Sequence, residues 1–91
     1  MTLGEACNVL HVDIGLNDEL ITSLIDALPG YIEVSTGLEE SCQDTEPLVK
    51  TVSGLILTQW YYADHADDKS LTRTIDALLK AITLKAREYE L

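Results

Sequence analysis

Apolar residues recur at helical spacing in several stretches of this chain. The longest stretch, from Asn17 to Gly37, has the pattern of an amphipathic helix with one buried face. Asn17 is the predicted N-cap, and Gly37 is a predicted stop because glycine adopts the left-handed conformation that ends helices. Pro29 removes one backbone hydrogen bond inside this helix and predicts a kink on its polar side. The buried face is expected to contain Leu20, Ile21, Leu24, Ile25, Leu28, Tyr31, Ile32, Ser35 and Leu38.

A short helix is predicted at the start of the chain. Thr2 and Glu5 have the spacing of a capping box, which favours a helix from Leu3 to about Leu10. Cys7 falls on the apolar side of that helix and is interpreted as a small core residue. The polar, acidic segment from Glu39 to Glu46 has no periodicity and is predicted to be a loop with an exposed Cys42.

Two more helices are predicted in the second half of the chain. Pro47, well tolerated in a first turn, opens a helix that ends near residue 64. Ser70 is the predicted cap of a last helix that ends near Tyr89, and residues 64–69 between them are predicted to be a loop. The apolar faces are expected to be Leu48, Val52, Leu55, Ile56, Tyr62 and Ala63 in the first of these helices, and Leu71, Ile75, Leu78, Leu79, Ile82, Ala86 and Tyr89 in the second.

These patterns predict an all-α fold in one domain of 91 residues. The expected architecture is a small helical bundle. Two long antiparallel helices, residues 17–36 and 47–64, are joined in it by a short N-terminal helix and a C-terminal helix.

A few apolar residues fall outside the predicted core faces. Leu57 and Tyr61 are one turn apart on the side opposite the core, and Gly54 lies one turn before Leu57. Leu84 is off the apolar face of the last helix. An apolar and aromatic pair beside a glycine predicts a contact with another chain through Gly54, Leu57, Tyr61 and Leu84. Equally, isolated exposed apolar residues need no explanation.

Acidic residues dominate the first half of the chain. The formal charge is −10, and residues 1–46 hold ten Asp or Glu but no Lys or Arg, since the first basic residue is Lys50. Such a surface argues against affinity for nucleic-acid phosphates. It would repel DNA or attract a basic partner, although a merely solvated acidic surface explains it equally well.

The chain offers little catalytic chemistry. We find no phosphate-binding glycine loop and no zinc-ligand spacing, and His11 and His65 have no evident nucleophile to serve, so no catalytic, metal or cofactor site is expected. His65 lies among aspartates, which we interpret as a solvated turn. Without a recognisable secretion signal, Cys7 and Cys42 are expected to be unpaired, and no apolar run approaches the length of a membrane span.

The chain resembles the head–tail connector proteins of tailed phages, also called head-completion or adaptor proteins. The resemblance covers nearly the whole chain, and Pro29-Gly30 departs from it, because such proteins usually carry ordinary helix formers there. The order and spacing of the motifs carry the match, since each alone is weak. The motifs are Leu10-His11-Val12-Asp13, Asn17-Asp18-Glu19-Leu20-Ile21, Tyr31-Ile32-Glu33, Thr36-Gly37 and Gln59-Trp60-Tyr61.

This resemblance implies a structural, non-enzymatic virion subunit that is assembled in the host cytoplasm. Copies would form a homo-oligomeric ring below the portal protein, extend the DNA channel without binding DNA specifically, and present a surface to a tail-side completion protein. A ring requires two different patches on each subunit. Two other classes stay open: an acidic helical interaction module, of which a DNA mimic would be one form, and a carrier protein modified at Ser70.

Overall fold

The computed structural model describes residues 1–62 and 69–89, and within these ranges the chain is helical without strands. The all-α prediction is therefore confirmed. Long helices are present near both predicted ranges, at 18–36 and 47–61, and the C-terminal helix is longer than either, at 21 residues. The helices are α1 (Leu3–Leu10), α2 (Asp18–Thr36), α3 (Glu40–Gln43), α4 (Pro47–Tyr61) and α5 (Lys69–Tyr89).

Local backbone chemistry fixes the ends of α1. The predicted capping box is present: the Thr2 N–H donates to Glu5 Oε1 over 3.1 Å, and the Glu5 N–H donates to Thr2 Oγ1 over 3.2 Å. The hydrogen bond from the Thr2 backbone N–H, followed by that from the Thr2 hydroxyl, lowers the pKa of the Glu5 carboxyl. At the other end, His11 adopts a left-handed conformation with a φ of 59°, and the Val12 N–H donates to the Cys7 carbonyl.

The predicted ends of α2 are largely confirmed. Gly37 ends the helix with a φ of 80°, and its N–H donates to the Glu33 carbonyl over 2.7 Å. Asn17 occupies the N-cap position but makes no side-chain capping bond. The helix runs through Pro29, which is half-buried, and the Gln43 side chain in α3 donates to the Pro29 carbonyl over 2.9 Å.

The core forms where α4 packs against α1, α2 and α5. Apolar side chains from all the longer helices join in one buried cluster, which stabilises the bundle by removing them from water. The predicted face of α5 is confirmed for Ile75, Ile82 and Ala86, and Cys7 is buried as expected. The cluster consists of Ala6, Cys7, Leu10, Ile21, Leu28, Ile32, Leu38, Val49, Val52, Ile56, Leu57, Ile75, Ile82 and Ala86.

The buried face of α2 is narrower than the sequence predicts. Leu20 and Tyr31 are 51% and 42% exposed, and Ser35 is also exposed. Thr36 is buried instead, and its hydroxyl donates to the Ile32 carbonyl over 2.7 Å. The neighbouring helices cover only one arc of α2, so part of the broad apolar side of the wheel remains in water.

The prediction of a loop from Glu39 to Glu46 is wrong, because α3 forms inside it. The Glu40 N–H donates to Glu33 Oε1, and the Gln43 amide donates to the Pro29 and Leu38 carbonyls. These contacts with distant residues fix a helical turn that has no periodic signal of its own. Cys42 is consequently half-buried and packs against the core.

Two further predictions concern the segment between α4 and α5. Ser70 is not a cap, since it lies inside α5 after Lys69 and has a helical backbone. The predicted loop at residues 64–69, including His65, lies outside the described residues apart from Lys69, as does Ala63.

Both cysteines are free, which confirms the expectation that they are unpaired.

Two glycines, one inside α2 and one directly after it, provide a matched test of the backbone. Gly30 lies inside the helix with nothing within 4 Å of an added Cβ, so Gly30→Ala should stabilise the protein by about 0.5–1 kcal/mol. Gly37 has a φ of +80°, so Gly37→Ala should destabilise it by about 1–2 kcal/mol. Urea unfolding measures both, and equal effects of the two variants would contradict the assigned helix end.

Candidate functional site

The last residues of α4 contact three other helices. We call residues 59–62 the α4 terminus. Gln59 Nε2 donates to Thr72 Oγ1 of α5 over 3.1 Å. The Trp60 ring lies edge-on to the Tyr31 ring of α2, with centroids 5.3 Å apart.

The two tyrosines of the α4 terminus bind the ends of α2 and α1. Asn17 Nδ2 donates to the Tyr61 hydroxyl over 2.6 Å, and the Tyr62 hydroxyl donates to the Leu10 carbonyl over 2.6 Å. The tyrosine rings pack edge-on with centroids 4.9 Å apart. The α4 terminus therefore joins α1, α2 and α5 through four consecutive side chains.

The structure contradicts the predicted outward orientation of Leu57. Its side chain is fully buried, with 0% exposure, and belongs to the core cluster. The reason is that α4 has neighbours on several sides, so the wheel position opposite the first buried face is also covered. Leu57 therefore cannot offer a surface to another chain.

Gly54 and Tyr61 are also occupied within the chain. An added Cβ on Gly54 would lie 3.7 Å from Val9 Cγ1, so the glycine faces α1. Tyr61 is half-buried, packs against the core and accepts the hydrogen bond from Asn17. The predicted outer patch at Gly54, Leu57 and Tyr61 is thus an internal contact, whereas Leu84 is 62% exposed, as predicted.

No cluster of three or more metal-binding side chains occurs among the residues that the structure describes. His65 lies outside them, and His11 is exposed. Ser70, the candidate attachment residue, is exposed on the first turn of α5.

One cleft of about 290 Å³ lies beside the start of α4 and contains the buried carboxylate of Glu46. Glu46 Oε1 accepts the Leu48 N–H and the Lys85 ammonium, each over 3.2 Å. Gln43, also in this cleft, donates to the Pro29 and Leu38 carbonyls. These polar groups hold the helices together and leave no organised ligand site that we can identify in the cleft.

Exposed apolar side chains run along α2. Val34 is 87% exposed, Leu20 and Tyr31 are exposed to 51% and 42%, and Ala27 lies between them in water. We call these four residues the α2 surface. Leu20, Ala27 and Val34 are seven residues apart, so they lie above one another in steps of about 10.5 Å.

An acidic row borders the α2 surface. Glu19, Asp26 and Glu33, all exposed, precede Leu20, Ala27 and Val34 by one position each and have the same seven-residue spacing. Glu33 also accepts the Glu40 N–H over 3.2 Å.

The outer face of α5 carries a comparable pattern of opposite charge. Arg73, Lys80 and Arg87 are exposed and seven residues apart, and we call them the basic row. Ala77 and Leu84, also seven residues apart and exposed, lie beside that row; we call them the α5 surface.

Sequence reasoning placed Leu20 and Tyr31 in the core and did not assign Val34. A signal was present, because the apolar positions of the α2 helix span a wider arc than one packed face requires. The seven-residue spacing of acidic and apolar pairs is the pattern that separates this exposed side from the buried one.

Comparisons with family models, with curated proteins and with solved structures find no match for this chain. Among the described helices, none has the length and apolar character needed to cross a bilayer.

A pair of tyrosine variants tests the α4 terminus. Tyr62→Phe removes the hydroxyl that donates to the Leu10 carbonyl and should destabilise the protein by about 0.5–1.5 kcal/mol. Tyr31→Phe keeps its ring against Trp60 and serves as the control, with an expected change within about 0.5 kcal/mol. Chemical denaturation compares the two variants. If Tyr62→Phe left the free energy of unfolding unchanged, the hydrogen bond between α4 and α1 would not contribute to stability.

A pair of leucine variants tests the corrected orientation of α4. Leu57→Ala should destabilise the protein by about 2–5 kcal/mol because the side chain is fully buried. Leu84→Ala, at an exposed position, should change the free energy of unfolding by less than about 0.5 kcal/mol. Thermal melts at low protein concentration would show this difference. A small loss of stability in Leu57→Ala would indicate that Leu57 faces outward after all.

Proposed function

We propose that this chain is a subunit of a tailed-phage head–tail connector. The proposal rests on the sequence resemblance, and three of its motifs lie at the beginning or the end of a helix. Asn17 to Ile21 begins α2, Thr36-Gly37 ends it, and Gln59-Trp60-Tyr61 lies at the end of α4. The hydrogen bond between Asn17 and Tyr61 brings two of these motifs together.

The observation that best supports assembly is the presence of two separate exposed surfaces. Leu20 and Val34 expose apolar side chains on α2, and Leu84 exposes one on α5. Head-to-tail contacts, which generate rings, need two different patches on each copy. A subunit that only dimerised with two-fold symmetry would need one self-complementary patch.

The remaining features of the proposal follow from charge and from the family. Copies would form a ring below the portal protein and meet a tail-side completion protein in the virion, without catalysis. Exposed acidic residues of the first half that lie outside α2, such as Glu39, Glu40 and Asp44, would repel DNA in the channel and keep it from adhering.

A second candidate is an acidic interaction module that binds a basic protein. The acidic row at Glu19, Asp26 and Glu33 favours it, because a line of exposed carboxylates can attract and orient a basic surface. Such a module would act as a monomer or a dimer, whereas a connector subunit assembles into rings.

Negative-stain electron microscopy tests the connector proposal. The purified protein, concentrated alone or mixed with its portal protein, should form closed rings with an open central channel. A gene position beside those for a portal and a major capsid protein is the matching genomic expectation. A protein that stays monomeric with its portal but binds a basic protein would favour the second candidate.

A further inference from the structure

The acidic row on α2 and the basic row on α5 match in charge and in spacing. Each contains three exposed residues separated by seven positions, which gives both rows a length of about 21 Å. In the described part of the chain, the ion pairs are Glu5–Lys50 and Glu46–Lys85, so neither row is used in them. Two rows of opposite charge with a common period are complementary as helix surfaces.

We propose that α2 of one copy packs antiparallel against α5 of a second copy, with the acidic row on the basic row. This inference rests on the proposed function, in which copies of the chain bind one another. It specifies which helices form the interface and which residues pair across it. Glu19 would face Arg87, Asp26 would face Lys80, and Glu33 would face Arg73. All three pairs form at once because both rows advance by seven residues.

The apolar residues fix the direction of the two helices. Each helix is viewed along its axis from the N-terminus. Going clockwise, the charged row comes first in both helices and the apolar surface comes next. When two such helices face each other, charge meets charge and apolar meets apolar only if they run in opposite directions. A parallel arrangement would place the acidic row against the α5 surface and leave its charges without partners.

This register also interleaves the apolar side chains. Leu84 of α5 falls between Leu20 and Ala27 of α2, and Ala77 falls between Ala27 and Val34. Ridges of one helix entering grooves of the other are the usual basis of helix packing. Asp76, an acidic residue, lies on the other side of the basic row from the α5 surface.

The two rows cannot satisfy each other within one chain. Helices α2 and α5 already pack together through their buried faces, which include Ile21 and Ile32 on α2 and Ile75 and Ile82 on α5. Both rows lie on the opposite, exposed sides of these helices. A second copy that binds through α5 leaves its own α2 free, so the contact propagates from copy to copy.

Charge exchange tests this interface. One variant carries Glu19→Lys and Asp26→Lys, and the other carries Lys80→Glu and Arg87→Glu. Glu33 is left unchanged because its carboxylate binds the Glu40 N–H at the start of α3. Sedimentation velocity over a concentration series in about 0.15 M salt, where distant charges are screened, measures association.

The unmodified protein should associate, and each variant alone should associate at least tenfold more weakly. An equal mixture should recover association, because every α2–α5 contact is then again between opposite charges. Recovery in the mixture also establishes that both variants are folded. The charge-matched control for the α2 variant is Asp13→Lys with Asp44→Lys, two exposed positions outside the rows, and it should associate like the unmodified protein.

Three results would overturn the proposed interface: an unmodified protein that stays monomeric, a mixture that does not recover, or a control that fails equally. Failure of the interface and failure of the connector function are separable by microscopy. Rings that persist in both variants would keep the connector function and refute this contact. Open filaments or dimers that follow the charge-exchange rule would keep the contact and refute the ring.

Discussion

The fold depends on the end of α4, where four consecutive side chains contact α1, α2 and α5. Trp60 and Tyr61 contact Tyr31 and Asn17, which are 14 positions apart on α2, and Tyr62 binds the last carbonyl of α1. Gln59 adds the bond to α5. The Tyr62 hydroxyl thus satisfies a carbonyl that the helix itself leaves unpaired. This short segment therefore sets the distances between helices that the core then fills.

Sequence reasoning succeeded where a local rule decides the structure. The capping box at Thr2, the left-handed Gly37 and the apolar face of α5 depend on nearby residues. The structure has the first two, and it buries Ile75, Ile82 and Ala86 of the third, while the predicted Tyr89 side chain lies outside the described part. Sequence reasoning failed where distant contacts decide. Leu57 lies opposite the first buried face of α4, and only the packing of several helices around α4 buries it. In the same way, the turn of α3 depends on residues of α2: the Glu40 N–H donates to Glu33, and the Gln43 amide donates to the Pro29 carbonyl.

The candidate surfaces show the same division. Leu84 was predicted to be exposed, since α5 has one clean apolar face and the residue falls outside it. Leu20, Tyr31 and Val34 could not be separated from the core by hydrophobicity, because the apolar arc of α2 is wider than the arc that its neighbours cover. The placement of α1, α4 and α5 around α2 supplies the missing information.

The seven-residue spacing of the two rows has a geometric consequence. Seven residues fall about 20° short of two full turns, so each row winds slowly around its helix. Two winding rows stay in register only when the helices cross at a small angle of constant hand, near 20° in such packing. Each copy would then be rotated by the same amount relative to the previous one. The spacing of charges would in this way contribute to the curvature of the whole assembly, together with the placement of α2 and α5 inside each copy.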